Sequence, residues 1–171
     1  MHLTDLMTVE EWMEFEREMN RRSGLDMNIF DPDGIRITPY KNWVNRLCPE
    51  VKANDKGQSF ICAVAHLNIA AQAKQERGPV IEECDAGIVK MIVPIFMDGE
   101  FLGAAGGCGR LLEKGEVDTF LINKITGIDE KTIQDLAADI PVITMEDTRS
   151  LAEHIEKSLR RVIDRYREKK P

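Results

Sequence analysis

The stretch IVKMIVPIFM-DG-EFLGAA, residues 88–105, decides the fold. Residues 88–97 form the most apolar run of the chain, and they are rich in branched side chains, which favour extended backbone. Asp98-Gly99 follows as a residue pair that two-residue hairpin turns prefer. The stretch therefore predicts two antiparallel strands, the second running from Glu100 to Ala105. Because proline cannot donate to a sheet ladder, Pro94 is expected at an edge, a bulge or an open cavity.

Helical patterns lie on both sides of this hairpin. Thr8-Val9-Glu10-Glu11 is a capping-box pattern, and it predicts a helix from Val9 to about Arg22. An Ala-rich segment predicts a second helix over residues 59–77, and two short helices are predicted over residues 116–125 and 130–139. A long C-terminal helix is predicted over residues 145–170. Its apolar side chains recur at helical spacing and form one stripe, which consists of Leu151, Ile155, Leu159, Val162 and Tyr166.

Shorter strands are predicted between these helices. Residues 25–30 alternate apolar and polar side chains, which is typical of a half-buried strand, and residues 35–38 are predicted to return after the turn at residues 31–34. Val80 to Glu83 is predicted as a further short strand. The order of elements predicts an α+β fold in which an antiparallel sheet is covered by helices, mainly on one side. The 171 residues are expected to form a single domain.

Composition and charge limit the possible partners and the location. Apolar residues make up 43% of the chain and charged residues 31%, as in ordinary globular proteins. The 23 Lys and Arg against 30 Asp and Glu give a net charge of −7, so neither a nucleic acid nor an anionic membrane surface is expected as a partner. The N-terminus lacks a secretory pattern, which predicts a cytoplasmic location. The four cysteines are therefore expected to be reduced thiols.

The cysteines leave several kinds of chemistry open. Cys48, Cys62, Cys84 and Cys108 are far apart and form no C-x-x-C pair, so spacing alone predicts no metal. The thiols could be buried core residues, or a redox-sensing pair. If all four meet in space, they could instead hold zinc or an iron–sulfur cluster. A haem is less favoured because no C-x-x-C-H attachment sequence is present.

The contexts of three cysteines resemble a known family. The pattern consists of Cys48-Pro49, of Cys62 opening a helix, of Cys84-Asp85-Ala86-Gly87-Ile88, and of Val93-Pro94-Ile95 leading to the segment from Asp98-Gly99 to Gly103. From about Met7 to Gly109 the chain resembles the PocR-type sensory domain, a variant of the PAS/GAF ligand-binding fold. Two positions depart from the family pattern: Asp85 stands where His is common, and Cys108 stands where Gln is frequent. The resemblance implies a regulatory pocket for a small molecule. The protein is then expected to be a lone sensor or to act through a separate output protein.

The sequence therefore predicts a non-enzymatic cytoplasmic sensor that binds a small molecule or a cofactor beside the cysteines. The candidate ligand-binding residues are Trp43, Cys48, Cys62, His66, Cys84, Asp85, Gly107 and Cys108. The C-terminal stripe is expected either to pack on the sheet or to form a homodimer with the same helix of a second chain, and the signal is expected to leave through the terminal helices.

Two alternative functions remain open at this point. One is a metal or iron–sulfur protein in which Cys48, Cys62, Cys84 and Cys108 are the ligands. The other is an enzyme with Cys84 as nucleophile, assisted by Asp85 or His66. The enzyme is disfavoured because no base or positive environment for this thiol is visible in the sequence.

Overall fold

In the computed structural model, which describes residues 1–169, the hairpin residues form the two central strands of a four-stranded antiparallel sheet. The strands of this sheet are β1 (Asp26–Phe30), β2 (Val80–Glu83), β3 (Val89–Met97) and β4 (Glu100–Cys108), in the order β1-β4-β3-β2. Helices pack on the sheet, and a long C-terminal helix extends to Lys169. The predicted α+β fold with an antiparallel sheet covered by helices is confirmed.

The hairpin between β3 and β4 forms as its turn residues predict. Asp98 and Gly99 both have positive φ angles, of 49° and 88°, which is the geometry that matches the twist of two hairpin strands. β4 continues past the predicted end at Ala105, because β1 pairs along its other edge as far as Cys108. Pro94 lies opposite Ala104 and beyond the last residue pair between β2 and β3, next to a register shift after Ile95.

One face of the sheet carries the main hydrophobic core. Helices α1 (Leu3–Leu6), α2 (Val9–Ser23) and α8 (Met145–Lys169) pack on this face. The buried strand residues of this core are Met27, Ile29, Val89, Met91, Val93, Ile95, Met97, Leu102 and Ala105. From the stripe of α8, Ile155, Leu159 and Val162 are buried in the same core, so the stripe packs on the sheet of its own chain. Lys170, at the end of the predicted helix, lies outside the described residues.

The opposite face of the sheet is also covered. Helix α5 (Val64–Glu76) packs there, with Ile69 and Ala73 against Ile92 of β3 and Ala104 of β4. The expectation of cover mainly on one side is therefore wrong. All five residues of β1 are buried, whereas the alternation of the sequence predicts a half-buried strand. The polar residues of β1 face protein on the second side of the sheet, not solvent.

The chain between β1 and α5 forms a helical cover over one end of this second face. It contains α3 (Leu47–Ala53), α4 (Asp55–Gly57) and a π-helical segment, Gln58–Ala63, that runs directly into α5. The predicted strand over residues 35–38 is wrong, because only a single bridge, between Phe30 and Arg36, forms there. The backbone N–H of Ile35 donates instead to the Asp31 carboxylate at 2.9 Å, which keeps this segment in a turn.

The remaining elements lie between β4 and α8 in the sequence. β5 (Leu111–Leu112) and β6 (Val142–Ile143) form a short parallel pair, which the sequence did not predict. The two short helices form at α6 (Thr119–Thr126) and α7 (Glu130–Ala137), and they pack with α3 around a separate apolar cluster that includes Leu47, Ile61, Ile122 and Ile133. Within residues 1–169, no helix combines the length and the apolar character that a membrane span needs.

Candidate ligand-binding site

A cavity of about 400 Å³ lies between the second face of the sheet and the helical cover. Ligand pockets in proteins are commonly about 300–1,000 Å³, so this volume suits a small molecule. The sheet contributes Asp26, Asn28, Phe30, Lys90, Gly106 and Cys108 to the wall. These residues share one face because successive side chains of a strand point to opposite sides. The intervening residues, such as Met27 and Met91, lie in the main core on the other side.

The helical cover supplies the opposite wall. Trp43 precedes α3, α3 contributes Cys48 and Lys52, the π-helical segment contributes Gln58 and Cys62, and α5 contributes His66 and Leu67. Segments of π-helix are rare and are found frequently at functional sites. Ile35 and Leu67 line the cavity and are 64% and 51% exposed, so the cavity opens to solvent between the turn after β1 and helix α5.

The four cysteines all line this cavity, and each is partly buried. Asn45 fixes the position of Cys48. The backbone N–H of Cys48 donates to Asn45 Oδ1 at 2.7 Å, and Asn45 Nδ2 donates to the carbonyl of Gly109 at 2.7 Å. The same Nδ2 lies 3.2 Å from Cys48 Sγ. Asn45 thereby connects the start of α3 to the end of β4, where Cys108 lies.

Burial determines the protonation of three of the thiols. It raises the pKa of Cys48 and of Cys62 above the usual range, and it raises the pKa of Cys84 to about 11. Neighbouring Lys52 opposes part of this effect at Cys62. These three thiols are therefore protonated at neutral pH, and a protonated thiol is a poor nucleophile.

The sequence left open whether the thiols form a metal site. Within residues 1–169, no group of three or more His, Cys, Asp or Glu side chains is arranged to hold a metal ion. The four thiols share one cavity without forming such a group. Zinc or iron–sulfur binding by Cys48, Cys62, Cys84 and Cys108 stays a prediction.

Buried polar atoms without hydrogen-bond partners are concentrated in this cavity. Seven such side-chain atoms occur in residues 1–169, and six belong to cavity-lining residues. The six are Asp26 Oδ2, Asn28 Oδ1, Arg36 Nε, Arg36 Nη1, Gln58 Oε1 and His66 Nδ1. An unpaired buried polar atom costs about 1–3 kcal/mol, and nearly all such atoms in proteins have a partner. Their concentration around one cavity indicates a place where a polar molecule or water would be bound.

The cavity wall carries more positive than negative charge. Arg36 Nη2 lies 3.7 Å from Asp26 Oδ2, while Lys52 and Lys90 form no ion pair with any of residues 1–169. Burial raises the pKa of Asp26 and lowers the pKa of Lys52. The pKa of His66 is lowered to about 3, by burial first and then by Lys90, Lys52 and Arg36. His66 is therefore neutral at physiological pH.

Aromatic rings hold the cationic side chains in place. The ring centroids of Phe30 and His66 lie 3.9 Å apart, so the two rings pack against each other across the cavity wall. Lys90 Nζ lies 5.7 Å from the centroid of Phe30, and Lys52 Nζ lies 6.0 Å from the centroid of Trp43. At these distances a cation is attracted to the ring face. The rings of Phe30 and Trp43 therefore form apolar parts of the cavity wall and also attract the neighbouring lysine ammonium groups.

The structure brings most of the predicted site residues together. Trp43, Cys48, Cys62, His66, Cys84 and Cys108 line the cavity. Asp85 is exposed on the turn after β2 and lies outside the lining, and Gly107 faces the main core, where an added Cβ would meet Met27. Its neighbour Gly106 faces the cavity instead.

Sequence reasoning missed most of the polar wall, which consists of Asp26, Asn28, Arg36, Lys52, Gln58 and Lys90. One signal was present for Lys90, because it is the only charged residue in the most apolar run of the chain. The others resemble ordinary solvent-facing residues in the sequence. Their burial depends on the cover formed by α3, the π-helical segment and α5.

The fold and this cavity together define an α+β domain, in which a sheet and a helical cover enclose a space of ligand size. The family model described as the sensory domain found in PocR matches residues 5–165, which is nearly the whole chain. The chain therefore belongs to the family of PocR sensory domains, and the resemblance seen in the cysteine pattern is confirmed. No curated protein matches the chain.

Proposed function

We propose that this domain is a sensor that binds a small polar molecule in the cavity and performs no catalysis. The observation that carries the proposal is the set of six polar atoms without hydrogen-bond partners in the wall of one cavity. A bound molecule would give these atoms partners that the protein itself does not supply. The binding energy would come from paired polar groups and from contact with Phe30 and Trp43.

The state of the candidate catalytic groups supports binding over chemistry. Cys84 has a pKa of about 11, so it needs a nearby base before it can act as a nucleophile. Asp85 is exposed and outside the cavity lining. His66 packs on Phe30, and no hydrogen bond joins it to Cys84 in residues 1–169. The arrangement lacks the linked nucleophile and base that covalent catalysis requires.

Strand β1 offers a route from the cavity to the terminal helices. Asp26, Asn28 and Phe30 face the cavity, whereas Met27 and Ile29 pack in the core under α2 and α8. A molecule that favours one position of β1 would shift the population of α2 and α8 positions. We therefore propose that the signal passes through these helices to a separate output protein.

The fully buried carboxylate of Glu16 strengthens this route. Its Oε1 accepts from the backbone N–H of Ile29 in β1 at 2.7 Å, and its Oε2 accepts from the Thr38 hydroxyl at 2.6 Å. Glu16 thus joins α2 both to β1 and to the turn segment that carries Arg36. Homodimer formation through the terminal helices remains part of the proposal, but it would have to use faces other than the packed stripe of α8.

A thermal-shift screen of small polar molecules tests the function. Ala63→Leu should fill part of the cavity, because Ala63 lines it, and Ala71→Leu adds the same side chain on an exposed turn of α5. We expect compounds that raise the melting temperature of the wild type and of Ala71→Leu but not of Ala63→Leu. If no compound stabilises the wild type, or if every stabilising compound acts equally on Ala63→Leu, the proposal is wrong.

A soft metal ion or an iron–sulfur cluster is the second candidate, favoured by the presence of all four thiols around one cavity. The thiols would have to move into a ligand arrangement and lose their protons on binding. Elemental analysis and the absorption spectrum of anaerobically purified protein test this candidate, and the spectrum also reports haem. Stoichiometric metal that is lost in Cys48→Ser would support it, whereas metal-free protein that binds polar molecules would exclude it.

A further inference from the structure

Three cationic side chains line the cavity, and the hydrogen-bond acceptors and counter-charges of the wall do not satisfy all of them. Arg36 Nε and Nη1 are buried and have no hydrogen-bond acceptor. Lys90 is only 9% exposed, and neither Lys90 nor Lys52 forms an ion pair within residues 1–169. A buried charge without a partner is costly, so these three groups together favour a negatively charged guest.

The carboxylates of the cavity wall do not balance these cations. Asp33 lines the cavity but is exposed on the turn, where solvent screens its charge. Asp26 is buried beside Arg36 at 3.7 Å, and burial raises its pKa and so disfavours its ionised form. Burial lowers the pKa of His66 most, and all three cations lower it further.

The type of cation and the size of the cavity together favour one class of anionic group. A guanidinium is planar and always charged, and its directed N–H donors suit carboxylates and phosphates. A cavity of about 400 Å³ bounded by the rings of Phe30 and Trp43 suits a small organic carboxylate with an apolar portion. On the same wall, Asp26 Oδ2, which lies 3.7 Å from Arg36 Nη2, and Asn28 Oδ1 are unpaired acceptors. These acceptors require a donor on the same molecule.

We infer that the ligand is a small hydroxy- or amino-carboxylate, with its carboxylate at Arg36, Lys52 and Lys90 and its hydroxyl or amino donor at Asp26 and Asn28. The inference rests on the proposed function and adds the chemical class of the ligand. Hydroxyl and amino donors share the same chemistry towards these acceptors, and the probes below separate them.

Isothermal titration with matched pairs of probes tests the inference. The probes are hydroxy- and amino-carboxylates, from glycolate-sized to hydroxyhexanoate-sized and including lactate, 3-hydroxybutyrate and serine, each titrated beside its primary amide. The amide keeps the shape but removes the negative charge. We expect at least one carboxylate to bind the wild type more tightly than its amide by about tenfold or more, the usual scale for a charge-assisted hydrogen bond.

Variants then locate the bound carboxylate. Arg36→Met and Lys90→Met should each lower the affinity for the carboxylate by about tenfold. Arg36→Lys should lower this affinity less than Arg36→Met does. Lys74→Met is the matched control, because Lys74 is exposed on α5 and outside the cavity lining. The comparison of carboxylate with amide uses only the wild type, so it decides the matter even if Arg36→Met fails to fold.

The outcomes separate this inference from the proposed function. If neutral polar molecules bind, if Ala63→Leu blocks them, and if no carboxylate of the panel binds, the inference is overturned and the proposed function stands. Carboxylates that bind Arg36→Met and Lys90→Met as well as the wild type would also overturn it. If no molecule of either kind binds, both proposals fail.

Discussion

Arg36 Nη2 lies 3.7 Å from Asp26 Oδ2, a separation that is short enough for an ion pair and too long for a hydrogen bond. The pair joins the turn after β1 to the start of β1, at the wall of the cavity. Arg36 Nε, Arg36 Nη1 and Asp26 Oδ2 are all left without hydrogen-bond partners. The two side chains therefore attract each other without a hydrogen bond between them. A third polar group can bind to both without displacing such a bond.

The first prediction concerns this ion pair in the absence of any ligand. Arg36→Met should lower the free energy of unfolding at pH 7 by about 2 kcal/mol, because it leaves a buried carboxylate without its counter-charge. The double variant Arg36→Met/Asp26→Asn should recover most of the loss, since neither position of the pair then carries a charge. Urea unfolding of both variants measures the coupling. Equal losses in the single and double variants would show that the two charges do not interact.

The second prediction concerns Glu16, which is buried and has a raised pKa because of its burial. The folded protein holds this proton more tightly than the unfolded chain does. Its contribution to stability is therefore present below the unfolded pKa of about 4.5 and is lost as the pH rises through the raised value. Glu16→Gln should remove this pH dependence and be at least as stable as the wild type at pH 7.

Glu16→Ala separates the hydrogen bonds of Glu16 from its charge. It should cost about 2–4 kcal/mol, because it deprives both Ile29 N–H and the Thr38 hydroxyl of their acceptor. Glu14→Gln is the surface control on the same helix. Unfolding by urea at a series of pH values measures all three variants. A wild-type pH profile that Glu16→Gln reproduces without change would contradict the assigned role of burial.

The third prediction concerns His66. Its pKa is about 3 in the folded protein and 6.5 in the ordinary case, so the unfolded chain takes up a proton first as the pH falls. The stability that neutral His66 contributes should be lost as the pH falls from 6.5 towards 3, by up to about 1.4 kcal/mol per pH unit. His66→Phe keeps a ring against Phe30 and removes the titration, so its stability should fall less over this range. His154→Gln, which changes a much less buried histidine, should change the profile far less.

The sequence predicts a structural feature well when the residues that form the feature are close together in the chain. The capping box forms as predicted, with Thr8 Oγ1 accepting from Glu11 N–H and the Glu11 carboxylate accepting from Thr8 N–H. The Asp98-Gly99 turn also forms as predicted. Both motifs involve residues that are close in sequence, so the hydrogen bonds and backbone angles that form them follow from the local residues alone.

Features that depend on packing between distant parts of the chain are not contained in the local sequence pattern. The alternation in β1 predicts one solvent-facing polar side, but the helical cover buries Asp26 and Asn28. The sequence predicts Arg36 on a return strand, whereas it lies in a turn and lines the cavity. The prediction of Gly107 at the site shows how sensitive a strand is to position. A shift of one residue reverses the face, and Gly106 is the glycine that lines the cavity.

The fourth prediction concerns the reactivity of the thiols. Because burial raises the pKa values of Cys48, Cys62 and Cys84, each should react with iodoacetamide at pH 7.5 at least about tenfold more slowly than free cysteine. Mass spectrometry after timed alkylation reports each site separately, and alkylation in denaturant is the control. If Cys84 reacts as fast as free cysteine, the alternative of an enzyme with Cys84 as nucleophile regains support. Equally fast reaction of Cys48 or Cys62 would contradict the effect assigned to burial.

The most direct test of the central claim is a crystal structure of the protein with the compound that stabilises it most strongly in the screen. We expect the compound between Arg36 and Asn28, with hydrogen bonds to several of the six polar atoms that have no partner within the protein. Binding at another surface, with these six atoms still unpaired, would contradict the claim. A cavity closed by side chains in that crystal would contradict it equally.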